Sequence, residues 1–203
     1  IPIEISQLGL DHLNNIDIDD PIQIQAKNFK FLHISSCFPR KGIRFLLQAY
    51  ADNFNESDDV SLIIKTFNNP HNNIHSVIYE FKTRYPSLGD IIVIEKDLTE
   101  DRIKSLFSLC DCFVAPSLGE GFCLPIGEAM SLGVPVITTG WGGQTDFCSS
   151  MNSWLIDYKF CYSHTHFKLF SSIWVEPSIV SLGKSMKEVF NLPDISNHPK
   201  VKE

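Results

Sequence analysis

The chain has 203 residues, enough for one large domain or two small ones. Apolar residues make up 43% and charged residues 20%, which is the balance of an ordinary soluble globular protein, and no apolar run is long enough to cross a bilayer. The net charge of −7 argues against a nucleic-acid surface, so any phosphate site must be basic only locally.

The six cysteines show no Cys-x-x-Cys spacing. Most stand in apolar surroundings, which favours buried free thiols in a reducing compartment. No signal peptide is visible. We therefore predict a cytoplasmic protein and leave open a peripheral membrane location for a full-length form. The cysteines are Cys37, Cys110, Cys112, Cys123, Cys148 and Cys161.

The seven histidines are scattered along the sequence. His71 and His75 are spaced to share a helix face, and His164 and His166 are spaced to share a strand face. Neither pair has an evident carboxylate partner, so surface histidines are favoured over a metal site. We predict no bound metal.

The first 29 residues read as a strand and a loop that lead into the main domain. Apolar and polar residues alternate over residues 1–5, which predicts a short strand. A turn follows at residues 7–11, and residues 14–20 are polar and acidic, as in an exposed loop. Because the chain opens within a strand-like pattern, we expect a piece of a longer protein.

A strand, a basic loop and a helix follow. Residues 30–36 predict the first buried strand, and apolar residues repeat at helical spacing over residues 43–54. The loop between them carries Arg40 and Lys41. Cations just before a helix are mildly unfavourable because of the helix dipole. Their position therefore favours an anionic ligand over ordinary solvated charge.

Strands and helices go on alternating to residue 156. This order predicts a doubly wound, Rossmann-like parallel α/β sheet, which binds ligands at the carboxyl ends of its strands. Residues 157–172 read as irregular, and residues 191–203 as a polar tail. Further strands are predicted at residues 60–67, 91–94, 111–115, 134–139 and 152–156, and helices at residues 74–85, 100–110 and 179–190.

Residues 115–130 are the most informative stretch, a glycine-rich loop between a strand and a helix. Pro125 suits the first position of a helix, and the later Gly133 suits the position just past its end. The backbone N–H groups of Phe122, Cys123 and Leu124 should then point from the helix start into a crevice. Unpaired donors and the helix dipole make such a start an anion site.

Two acids flank this anion site, Glu120 in the loop and Glu128 about one turn into the helix. Carboxylates repel phosphate but accept hydrogen bonds from hydroxyl groups. Gly119 and Gly121 let the backbone approach a ligand closely. A nucleotide-sugar fits, because it has a diphosphate at its centre and hydroxyl groups at both ends. A glycosidase pair of acid and nucleophile fits less well, because it does not need a helix start aimed at an anion.

The segment from Ser117 to Gly140 resembles the Glu-x7-Glu motif of retaining GT-B glycosyltransferases, in particular family 4 (group 1). The resemblance implies that Glu120 contacts sugar hydroxyls and Glu128 the nucleotide ribose. Family members usually have glycine where this chain has Cys123, so we expect a side chain in the sugar pocket. The matching residues are Ser117, Glu120-Gly121-Phe122, Leu124-Pro125, Glu128-Ala129, Gly133 and Pro135-Val136-Ile137.

The basic loop resembles the family's Pro-Arg-Lys-Gly loop, whose cations neutralise the donor diphosphate. The resemblance therefore implies catalytic roles for Arg40, Lys41 and Glu120. It implies no metal, because the cations take that role, and no cofactor beyond a nucleotide-sugar substrate such as a UDP- or GDP-sugar. The donor-binding residues that it implies are Ser117, Gly121, Phe122, Cys123, Leu124 and Glu128.

The resemblance covers most of the chain and implies the C-terminal, donor-binding half of a GT-B fold. Residues 1–29 would be a linker from a missing N-terminal domain, residues 30–190 the nucleotide-sugar-binding domain, and residues 191–203 a tail. The whole enzyme would move a hexose to a hydroxyl of a glycan or another acceptor and retain the anomeric configuration. The isolated domain is expected to bind its donor without transferring the sugar.

Two other functions stay open at this point. A GT-B-type nucleotide-sugar epimerase has a similar architecture and would form product without an acceptor. A non-catalytic module would hold a nucleotide-sugar and turn over nothing.

Overall fold

The centre of the molecule is a six-stranded parallel sheet, seen in a computed structural model that describes residues 9–70, 72–163 and 171–202. The strands are β1 (Phe29–Ile34), β2 (Val60–Lys65), β3 (Asp90–Ile94), β4 (Cys112–Ala115), β5 (Val136–Thr139) and β6 (Trp154–Ile156). They lie in the order β3-β2-β1-β4-β5-β6, the order of a doubly wound sheet. The predicted Rossmann-like α/β class is confirmed.

Helices cover both faces of the sheet because each strand is apolar on both sides. Phe31 packs with the helices of one face, and its neighbour Leu32 packs with those of the other. The first face carries α2 (Ile43–Asn53), α3 (Ile74–Arg84) and α6 (Ile179–Phe190), and the second carries α1 (Asp11–Asn14), α4 (Glu100–Leu109) and α5 (Leu124–Ser131).

The winding direction reverses between β1 and β4, which are neighbours in the sheet. Their loops leave the same carboxyl edge side by side, where sheets of this kind bind ligands. Gly42 lets the two loops touch, because it has a φ of 73° and a Cβ there would lie 1.9 Å from the carbonyl oxygen of Pro116. The Leu118 N–H also donates to the Arg40 carbonyl at 2.8 Å.

The prediction of irregular structure over residues 157–172 is wrong in part. β7 (Tyr158–Tyr162) and β8 (Ile173–Pro177) form an antiparallel hairpin. The aromatic residues of β7 alternate with other residue types, which is a strand pattern that the sequence reading missed. The Val175 N–H donates to the Leu118 carbonyl at 2.9 Å, so the hairpin is fastened to the loop after β4.

The C-terminal segment, predicted as a polar tail, packs in part against the core. Leu192 and Ile195 pack against the core, and a short helix, α7, follows at Pro199–Lys202. The Lys200 ammonium lies 4.8 Å from the centre of the Trp154 ring and donates to the Ser153 carbonyl at 3.0 Å. These apolar and cation–π contacts fix the segment near the amino end of β6.

Most other predicted elements are confirmed, and α6 has the predicted bounds. The strand predicted at residues 1–5 lies outside the described residues, as do His71 and the pair His164 and His166. His75 does have a carboxylate partner, contrary to the prediction, because its Nε2 lies 2.9 Å from the Glu95 carboxylate.

All six cysteines have free thiols, and all but Cys161 are buried. No helix of the described part of the chain is both long and apolar enough to span a bilayer.

Candidate functional site

The start of α5 presents free backbone donors. Cys123 precedes the helix with a φ of 68°, and Pro125 lies in the first turn. Within the described part of the chain, no group accepts a hydrogen bond from the N–H groups of Phe122, Cys123 or Leu124. Three unpaired donors at a helix start form a place where an anion can bind.

Glu120 joins this helix start to the basic loop after β1. Its carboxylate accepts from the Lys41 ammonium at 2.6 Å, the Arg40 guanidinium at 3.0 Å and the Ser117 hydroxyl at 2.9 Å. The Glu120 side chain is only 5% exposed, whereas that of Arg40 is 45% exposed. The structure thus brings together four residues that the sequence placed in two separate motifs.

Glu128 lies outside this ion-pair cluster. Its side chain is 12% exposed, and one carboxylate oxygen accepts from His12 Nε2 at 3.1 Å. Burial raises the pKa of Glu128, and the bond to His12 opposes that rise. Sequence reasoning missed His12, because 116 residues separate the partners and no local pattern links them.

A third loop, after β5, closes against the loop of Glu120. The Gly143 N–H donates to the Glu120 carbonyl at 3.0 Å. A Cβ at Gly143 would lie 1.8 Å from the carbonyl oxygen of Gly121, so only glycine allows this approach. Phe122 packs on Phe147 from the same segment, with ring centres 4.9 Å apart. Sequence reasoning noted Gly121 without predicting the contact.

Cys123 packs its side chain inward. The thiol is buried in the apolar cluster that includes Ile126, Ala129 and Cys148. Burial raises its pKa to about 12, so the thiol is protonated near neutral pH and is a poor nucleophile. This burial runs against the expectation of a side chain that enters a sugar pocket.

Trp141 stands at the edge of the site. Its ring lies 3.9 Å from the place where a Cβ on Gly119 would be. The ring also meets Phe160 of β7 edge-on, with centres 5.9 Å apart. The hairpin therefore extends the wall of the site with aromatic residues that the sequence reading left unassigned.

His33 is buried at the carboxyl end of β1, next to the loops that form the site. Its Nδ1–H donates to the Val114 carbonyl at 2.8 Å, and its Nε2 accepts from the Ser35 hydroxyl at 2.8 Å. Burial lowers the pKa of His33 to about 4, so the ring is neutral at pH 7. Nearby Lys65 is also buried and donates to the Thr66 carbonyl at 2.6 Å.

Metal ligands do not gather in the described part of the chain, where no group of three or more His, Cys, Asp or Glu side chains is placed to hold an ion. The cationic groups near the anion site are Arg40 and Lys41. The prediction of metal-independent chemistry stays a prediction.

Comparison with known proteins identifies relatives of this domain. The family model described as Glycosyl transferases group 1 matches residues 28–159, more than half of the chain. The MMP alpha-(1->4)-mannosyltransferase of Mycolicibacterium hassiacum is 27% identical over 140 residues, which cover 69% of this chain and 32% of that protein. The chain therefore spans about a third of the length of this curated relative.

Two solved structures share the fold. The C-terminal domain of a glycosyl transferase group 1 family protein (LpcC) from Francisella tularensis superposes with a TM-score of 0.69 at 15% identity, covering 93% of each chain. HepE of Anabaena, solved in complex with UDP-glucose, has a TM-score of 0.53 at 25% identity, covering 63% of this chain and 34% of its own.

Proposed function

Because the chain belongs to the glycosyl transferases group 1 family, we propose that it is the donor-binding half of a retaining glycosyltransferase. It holds a nucleotide diphosphate sugar at the carboxyl edge of its sheet. In the full-length protein the sugar, a hexose, passes to an acceptor hydroxyl and keeps its anomeric configuration.

One observation carries this proposal, the meeting of Arg40 and Lys41 with Glu120 beside the free N–H groups of α5. A diphosphate bound here receives hydrogen bonds from the helix start and charge from the two cations. The same groups stabilise the negative charge that grows on the leaving diphosphate during transfer. No metal is needed for that step.

The two acids take the two ends of the donor. When the diphosphate engages Arg40 and Lys41, the Glu120 carboxylate is free to accept hydrogen bonds from the sugar hydroxyls. Glu128 accepts from the ribose hydroxyls through the oxygen that His12 does not occupy. The complex of HepE with UDP-glucose supports this class of ligand, and the mannosyltransferase relative supports a hexosyl donor.

The acceptor binds to parts of the protein outside this domain. The mannosyltransferase relative is about three times as long as the segment that matches here, which supports an additional acceptor-binding domain. The donor domain alone then binds nucleotide-sugar without transferring the sugar. We place the full-length enzyme in the cytoplasm, with a peripheral membrane location as the further possibility.

Titration calorimetry of this 203-residue chain with UDP, GDP and inorganic diphosphate tests the donor site. We expect binding of at least one nucleoside diphosphate, and an affinity about tenfold lower in the Lys41→Ala variant, which loses one charged hydrogen bond to phosphate. Arg44→Ala is the matched control, because Arg44 pairs with Glu80 on the surface of α2 and α3. An absence of heat with every ligand at high protein concentration contradicts the proposal.

A transfer assay on the full-length protein separates the remaining functions. A glycosyltransferase forms a glycosylated acceptor and releases nucleoside diphosphate. An epimerase converts the nucleotide-sugar in the absence of an acceptor, and a binding module leaves the nucleotide-sugar unchanged. The epimerase and the binding module have no observation in their favour that the transferase lacks.

A further inference from the structure

We propose that His12 is a positioning residue for the nucleotide, which it serves by holding Glu128 in the orientation that receives the ribose. The inference rests on the proposed function, because it assigns a partner to the ribose end of the same donor site. His12 lies before the segment that the family model covers, which starts at residue 28. It therefore belongs to the N-terminal segment that leads into the domain.

The segment that carries His12 is docked on α5 and α4. Leu10 packs on Gly127 so closely that a Cβ there would lie 2.8 Å from a methyl carbon of Leu10. Leu13 is buried in the apolar cluster of the same face. The Lys104 ammonium donates to the Ile16 carbonyl at 2.6 Å and fixes the far end of the segment. These contacts fix the backbone of the segment, and the fixed backbone holds the His12 side chain against Glu128.

The contact with His12 leaves Glu128 able to accept hydrogen bonds from two neighbouring hydroxyl groups. His12 Nε2 donates to Oε1 at 3.1 Å, and within the described residues it is the hydrogen-bond partner found for this carboxylate. Oε2 therefore keeps its acceptor capacity for the neighbouring hydroxyls of a ribose. A carboxylate that is held in one rotamer loses less conformational entropy when the nucleotide binds.

His12 also helps Glu128 stay ionised. Glu128 is largely buried, and burial disfavours the charged form. Glu100 on α4 acts in the same direction by charge repulsion, whereas the hydrogen bond from His12 acts against it. Only the ionised carboxylate accepts hydrogen bonds through both oxygens, so loss of His12 weakens the acceptor that the ribose needs.

The test compares a ligand that has a ribose with one that lacks it. Titration calorimetry measures the dissociation constants of UDP, GDP and inorganic diphosphate for the wild-type chain and for His12→Ala. We expect about a tenfold loss of affinity for the nucleoside diphosphate, as for a lost hydrogen bond to a charged group, and less than about a twofold change for inorganic diphosphate. Equal losses for both ligands, or no loss for the nucleoside diphosphate, overturn the proposal.

Two further variants distinguish positioning from a merely structural effect. His12→Gln keeps a side-chain N–H donor, so it should restore most of the affinity. In a Glu128→Ala background, His12→Ala should cause no additional loss, because the pair acts as a unit. An additional loss of similar size there would mean that His12 acts without Glu128 and would overturn the proposal.

His198→Ala is the matched histidine control. His198 packs on Trp154 near the amino end of β6, at the opposite edge of the sheet from the donor site. It should leave both affinities unchanged. If the wild-type chain binds no nucleoside diphosphate, the proposed function fails with this inference. If it binds and His12→Ala binds equally well, only the inference about His12 fails.

Discussion

Lys41 Nζ lies 2.6 Å from Glu120 Oε1, so the cation assigned to the donor diphosphate is held by the acid assigned to the sugar. Arg40 reaches the second carboxylate oxygen of Glu120 at 3.0 Å. The single acid thus pairs with both cations and offsets only part of their charge. In the proposed function, a diphosphate would compete with Glu120 for both cations and so release the carboxylate toward the sugar.

The first prediction follows from this competition. Glu120→Gln removes the internal anion, so Arg40 and Lys41 should bind inorganic diphosphate about threefold to tenfold more tightly, which titration calorimetry can measure. Sugar transfer by the full-length protein should fall by about a hundredfold, because a contact to the reacting sugar is lost. A lower affinity of the variant for diphosphate would contradict the competition between Glu120 and the ligand.

The sequence predicted the parts of the site that follow from strand order. Arg40, Lys41 and Glu120 come after strands that a doubly wound sheet places side by side, so their meeting follows from topology. The contact between His12 and Glu128 has no such rule behind it, because it depends on how an irregular segment docks on α5. The β7–β8 hairpin was missed because its aromatic residues were not read as an alternating strand.

The second prediction concerns the approach of the third loop at Gly143. Gly143→Ala places a Cβ against the Gly121 carbonyl and should displace the backbone beside Glu120. We expect at least a tenfold loss of nucleoside diphosphate affinity, equivalent to about 1.4 kcal/mol, in titration calorimetry. Gly133→Ala is the control, because Gly133 has a φ of 72° but no atom within 4 Å of the added Cβ. It should lower stability by about 1 kcal/mol without changing that affinity. Equal affinities of the two variants would mean that the loop after β5 does not shape the site.

The third prediction concerns Cys123, which has a φ of 68° in front of α5. A left-handed conformation costs a non-glycine residue about 1–2 kcal/mol. In Cys123→Gly, the relief of this backbone strain should therefore offset much of the stability that is lost with the buried side chain. We expect a free energy of unfolding within about 1 kcal/mol of the wild type, measured with urea. Cys148→Gly is the comparison, because Cys148 is buried in the same cluster without a positive φ. That variant should lose more stability, and equal losses would show that Cys123 is not strained.

The last prediction is a dependence of stability on pH that arises at His33. Burial lowers its pKa from 6.5 to about 4, so below pH 6.5 the unfolded chain binds a proton that the folded chain excludes. The contribution of the neutral His33 to the free energy of unfolding is therefore complete above pH 6.5. It is lost as the pH drops toward 4, by about 3 kcal/mol in total.

Urea unfolding of wild type and His33→Asn at pH 7.5, 6 and 5 isolates this effect. The asparagine side chain of the variant does not titrate. The wild type, which is the more stable protein at pH 7.5, should therefore lose stability faster as the pH falls, and the difference in free energy of unfolding between the two proteins should narrow. Glu128 and Asp111 have raised pKa values and act in the opposite direction, but they are present in both proteins and cancel in the difference. A constant gap across this range would mean that His33 does not resist protonation in the folded chain.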